Sequence, residues 1–189
     1  MIEKDFTSLE EGKSFDYWKL GVLALFSIYF LDIAFRYENN WCFIDGVNIW
    51  MHEAGHFLFM FTGSDFITIL GGTILQILVP IVFVLYFYAN DQRFSAALTT
   101  FWLGESIVNV SVYMADAVVM QLPLIGGGGT EGHDWHNMFL ILDILPMTST
   151  LSTITRMLGS LIIMFAIVWG INESRKGGSL ADSDRTIYY

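Results

Sequence analysis

The sequence predicts an all-α fold, an integral membrane bundle of about five transmembrane helices, and three observations carry that expectation. Of the 189 residues 54% are apolar and 15% charged, against roughly 45–50% and 25% in an ordinary soluble domain. The apolar residues fall in runs of about 20 or more, the length that crosses a hydrocarbon core as a helix. Between the runs stand segments with turn chemistry: Thr62-Gly63-Ser64-Asp65, Asn90-Asp91-Gln92-Arg93, and a longer stretch at 122–131 with Pro123 and Gly126 to Gly129.

Residues 1–16 form a polar acidic segment in which Glu3, Asp5, Glu10, Glu11 and Asp16 outweigh Lys4 and Lys13. That is unlike the basic start of a secretory signal, so the apolar run at 17–35 reads as a retained first span. Further spans are expected at 41–61, 66–89, 94–121 and 147–170, with short loops that make consecutive helices antiparallel. Residues 137–145 are apolar but too short to cross, which predicts a re-entrant or buried segment between the Gly-rich loop and the last span. Residues 17–171 therefore make one helical domain, followed by a solvated polar tail at 172–189. The expected setting is a multi-pass protein of the cell membrane, with the lipid bilayer as its surroundings.

Charge and cysteine content remove several function classes. Nine Lys and Arg against 19 Asp and Glu give a net charge of -10, which argues against a phosphate-neutralising surface and makes nucleic acid a poor candidate partner. The single cysteine, Cys42, excludes a disulfide framework and a CxxC redox pair. Any metal is therefore expected on His, Asp or Glu, and Cys42 receives no role. The run Gly126 to Gly129 lacks the framework of a nucleotide cradle and is expected to act as a hinge.

Histidine usage is the sharpest signal. The four histidines form two close pairs, His52 with His56 and His133 with His136, each enclosing a carboxylate, Glu53 or Asp134. The first pair lies in HEAGH within an apolar helix, where positions i and i+4 share a face and can meet one metal ion. Glu53, about a quarter turn round the helix, can reach a water at that ion, which is the HExxH arrangement of a zinc hydrolase. Such a zinc takes one more protein ligand and keeps its fourth position open. The candidates for that ligand are His133, Asp134 and His136. In the fourth span Glu105, Asn109 and Asp116 are spaced by four and seven and form a polar stripe that cannot face lipid. It serves either as glue between helices or as support that orients the metal histidines, with Asp116 nearest the metal loop.

With these motifs the chain resembles the site-2 protease family of intramembrane zinc metalloproteases, as a divergent minimal member. In that family the HExxH helix is followed by a glycine-containing helix, then by a Pro-containing loop and an LDG-type motif whose aspartate is the third ligand. Here the corresponding segments are HEAGH, LGGTILQ at 70–76 with Gln76 in place of the family's usual asparagine, and PLIGGGGTEGHDW at 123–135. The resemblance covers roughly residues 46–136 and implies one zinc ion held by His52, His56 and Asp134. Because His133 and Trp135 stand where the family has Leu and Gly, His133 and His136 stay open as alternatives. The implied activity is hydrolysis of peptide bonds in membrane-embedded or membrane-adjacent segments, with zinc-activated water and Glu53 as general base. The rival class is a non-enzymatic membrane metal-binding protein, sensor or transporter, and a third is a lipid-directed metal hydrolase. Glu53 separates the first two, since a storage or transport site needs no carboxylate beside a ligand to handle a proton.

Overall fold

The computed structural model describes residues 15–35, 42–124 and 129–185, and every regular element among them is helical. The α-helices are α1 (Tyr17–Phe35), α2 (Phe43–Phe59), α3 (Asp65–Ala89), α4 (Arg93–Ala115), α5 (Asp134–Ile141) and α6 (Thr148–Arg185), with short 3-10 turns at Met60–Thr62, Gly129–Gly132 and Leu145–Met147. Three stretches, Tyr17–Phe35, Asp65–Ala89 and Leu145–Arg175, are long and apolar enough to cross a membrane. Two of the five expected spans fall short of that standard. Helix α2 has 17 residues, and α4 buries the polar Thr100, Glu105, Ser106 and Ser111 in its interior-facing surface.

Helix boundaries follow local chemistry. Gly63 takes a left-handed φ of 68° to close the turn after Met60–Thr62, and the Ser64 hydroxyl accepts the Ile67 N–H to start α3. The fourth helix stops at Ala115 instead of running to 121. The reason is Asp116, whose carboxylate accepts the backbone N–H groups of Gln121 and Leu122, both at 2.9 Å, and so ties the chain into a turn. Helix α6 runs on through Arg185, into the segment expected as a polar tail. Ser174 is fully buried, its hydroxyl donates to the Gly170 carbonyl at 2.8 Å, and its own carbonyl accepts the Asp16 N–H at 3.0 Å. The end of α6 thereby holds the start of α1. The short apolar segment forms α5, and Gly126 to Gly128 of the expected hinge lie outside the described residues.

Helix α4 is central, packing against α6, α3, α1, α2 and α5. In lipid there is no hydrophobic drive between helices, so close packing rests on small residues and interhelical hydrogen bonds. A Cβ on Gly159 of α6 would stand 2.6 Å from the Gly104 carbonyl of α4. A Cβ on Gly55 would overlap the Gly71 carbonyl, so α2 and α3 meet backbone to backbone at the level of HEAGH. Helix α2 turns Asn48, His52 and Gly55 inward and leaves Trp50, Phe57 and Leu58 exposed. This sets the two histidines against α3.

Candidate metal centre

The i, i+4 spacing of His52 and His56 puts both imidazoles on the face of α2 that crosses α3, with ring centroids 4.7 Å apart. Gly72 of α3 makes room for them: a Cβ there would lie 2.7 Å from His52 Nε2 and from His56 Cε1. From the other side α5 brings in Asp134 at its first residue. Asp134 Oδ2 lies 2.7 Å from His52 Nε2 and 3.1 Å from His56 Nε2. Of the three candidates for the third position, Asp134 is the one that joins the HEAGH histidines, and His52, His56 and Asp134 form a compact donor cluster.

The hydrogen bonds behind the rings decide what this cluster can hold. Gln76 Nε2 donates to the Ser106 carbonyl at 3.3 Å and to Asn109 Oδ1 at 2.9 Å, which fixes its amide so that Oε1 faces His52 Nδ1 at 3.1 Å. His56 Nδ1 faces the Thr68 carbonyl at 2.9 Å. Both partners only accept, so each Nδ1 carries a hydrogen, and in the neutral ring Nε2 presents its lone pair toward Asp134. Two ring nitrogens and a carboxylate oxygen then converge on one point, where a shared proton or a metal ion balances them. The donor set, two imidazoles and one carboxylate with acceptors fixing both rings, fits a divalent metal ion.

Glu53 is half-buried on α2, within electrostatic reach of His56 and Tyr113. His56 has 22% of its side chain exposed and His52 8%, so the cluster opens on the His56 side. The exposed Met60 and Phe61 follow on that side.

The other residues singled out in the sequence take different places. His133 caps α5, its Nδ1 accepting the His136 N–H at 3.2 Å, while its Nε2 meets Asp116 Oδ2 at 3.3 Å. His136 Nδ1 donates to the Ala117 carbonyl at 2.7 Å. Neither is part of the His52, His56 and Asp134 group. Asp116 therefore holds His133 and the turn after α4, and the acceptors behind the HEAGH rings are Gln76 and Thr68. Asn109 reaches the site through Gln76 and also donates to Asp45 Oδ1 at 2.7 Å. Glu105 is fully buried and accepts from Asn48 Nδ2 at 2.7 Å, one layer further along the bundle.

Sequence reasoning missed Tyr113. Its hydroxyl accepts the Asp134 N–H at 3.0 Å, and its ring lies 4.6 Å from that of His133 and 5.8 Å from that of His52. The signal available was its place one turn beyond Asn109 on the same helix, masked by the general abundance of aromatic residues. Gly72 lies in the LGGTILQ segment that the resemblance singled out, whereas the Thr68 carbonyl left no sequence signature of its own.

Compared with known protein families, with curated proteins and with solved structures, the chain finds no match.

Proposed function

We propose that the chain is an intramembrane zinc metalloprotease, similar in design to the site-2 proteases, that hydrolyses peptide bonds in membrane-embedded or membrane-adjacent segments. The observation that carries this reading is the convergence of His52 Nε2, His56 Nε2 and Asp134 Oδ2, with Glu53 next to the first of them in sequence. His52, His56 and Asp134 would hold the ion. Zinc, when bound, supplies Lewis acidity toward a peptide carbonyl and toward water.

Glu53 takes a proton from the attacking water as the new C–O bond forms, and delivers it to the amide nitrogen as the C–N bond breaks. Gln76 and Thr68 keep the two imidazoles in one tautomer and orientation throughout. Tyr113 holds the start of α5 and with it Asp134. The substrate backbone enters from the His56 side in extended form, since a helical backbone keeps its carbonyls engaged.

In this reading α1, α2 with its following 3-10 turn, α3, α4 and α6 cross the cell membrane and α5 re-enters it. The apolar helices support a lipid setting, and the buried polar face of α4 suits an interior span.

The test is Glu53→Gln in the purified protein, reconstituted with a model transmembrane substrate. The variant should keep its zinc and cleave more slowly by ~10² or more, the scale of general base catalysis. Cleavage as fast as the parent's would overturn Glu53 as the base, and a zinc-loaded parent that cleaves nothing would overturn the hydrolase reading in favour of a membrane metal-binding protein. Loss of zinc would make Glu53 a ligand.

A further inference from the structure

A second cluster of potential ligands lies toward the other end of α2. Cys42 and Asp45, at the start of that helix, and Glu105 of α4 bring one ligand atom each within 4.8 Å of one another. Ten residues of helix, about 15 Å, separate Cys42 from His52. Asp45 Oδ2 accepts from the Cys42 N–H at 2.7 Å and from its Sγ at 2.9 Å. Glu105 is 0% exposed, and its Oε1 has no hydrogen-bond partner among the described residues. Its other oxygen accepts from Asn48, whose carbonyl is itself occupied by Trp102 Nε1 at 2.9 Å and Ser106 Oγ at 3.1 Å. Asn48 therefore cannot turn to serve Oε1 as well.

Among the described residues neither Asp45 nor Glu105 forms an ion pair with a Lys or Arg. Among the described residues, two carboxyl groups and a thiol thus share a partly buried corner without a compensating Lys or Arg, and Oε1 of the buried Glu105 is unpartnered there. Such a group costs several kcal/mol unless it is neutralised or bound.

We infer that Cys42 Sγ, Asp45 and Glu105 form a second site for a divalent transition metal ion of zinc-like softness. The thiolate selects against magnesium and calcium, which take oxygen alone, while the two carboxyl groups supply oxygen ligands, the thiolate and one carboxylate together matching the two charges of the ion. Binding releases the thiol proton to solvent and gives Glu105 Oε1 its missing partner. The site assigns a role to the one cysteine that composition left without any. It is also joined to the first cluster: Asn109 donates to Asp45 Oδ1 and accepts from Gln76, which orients His52.

The second site does not rest on the protease reading, and the test removes the first cluster. The full chain carrying His52→Ala and His56→Ala is titrated with Co2+ alone, and thiolate-to-cobalt charge-transfer absorption is followed. The band should saturate at one equivalent, disappear in Cys42→Ser, and need at least about tenfold more Co2+ in Glu105→Gln. No band, or a band whose affinity is unchanged by Glu105→Gln, overturns the assignment. Should the double-histidine variant fail to fold, the same titration on the parent chain decides equally, because imidazole and carboxylate ligands give no thiolate band.

Discussion

A single methyl group placed at Gly72 gives a sharp prediction. In Gly72→Ala the new Cβ would stand 2.7 Å from both His52 Nε2 and His56 Cε1, where ordinary contact begins at 3.4 Å. The imidazoles must retreat by ~0.7 Å, well beyond the ~0.2 Å tolerance of metal-ligand distances. The obstructing atoms belong to side chains, so the helices need not separate, and replacing an interior helical glycine by alanine favours the helix by up to about 1 kcal/mol. We expect Gly72→Ala to melt no lower than the parent while binding zinc at least 10–100-fold more weakly, the scale seen when ligand orientation is disturbed. Gly55→Ala is the contrast, because there the clash is with the backbone carbonyl of Gly71. It should push α2 from α3 and destabilise the protein by about 1–3 kcal/mol. Zinc affinity is read by competition with a chromophoric chelator and stability by circular dichroism in detergent. Parent-like zinc affinity in Gly72→Ala would refute the placement of the two rings against α3.

Gln76→Leu removes the acceptor behind His52 and should weaken zinc binding 10–100-fold by the same chelator competition. Asp116→Asn should leave zinc affinity unchanged, since Asp116 touches His133 and the N–H groups of Gln121 and Leu122. Its expected effect is a loss of about 1–2 kcal/mol in stability, measured by denaturant or thermal unfolding, from weakened charge-assisted hydrogen bonds.

Much of the bundle is legible in the amino-acid order, because apolar runs and turn residues are local signals. The first run coincides with α1, and the breaks at Thr62 to Asp65 and Asn90 to Arg93 lead into the first residues of α3 and α4. Where the reading fails, a single side chain or a distant contact decides. Asp116 ends α4 early by capturing two N–H groups, and α6 keeps its helix beyond residue 171, where Ser174 is buried and accepts the Asp16 N–H. Hydropathy also misjudges what an interior helix tolerates, since α4 hides Glu105 and Ser106 completely.

The site divides in the same way. The face shared by His52 and His56 follows from helical periodicity alone. The choice among His133, Asp134 and His136 does not, because it depends on where α5 begins. With His133 occupied as the cap and His136 turned to the Ala117 carbonyl, Asp134 is the residue left facing α2. Glu105, Asn109 and Asp116 share a stripe but serve three different partners, Asn48, Gln76 and His133. Helical spacing reveals that such residues avoid lipid and is silent on what each one meets.

The central claim is that His52, His56 and Asp134 bind one zinc ion. X-ray absorption at the zinc edge of the purified Cys42→Ser protein tests it most directly, since that substitution removes the thiolate of the second site. We expect a first shell with two imidazole nitrogens and carboxylate or water oxygens, all at about 2.0–2.2 Å. The imidazole contribution should vanish in His52→Ala with His56→Ala. A zinc shell without imidazole, or one that is the same in that double variant, would contradict the claim.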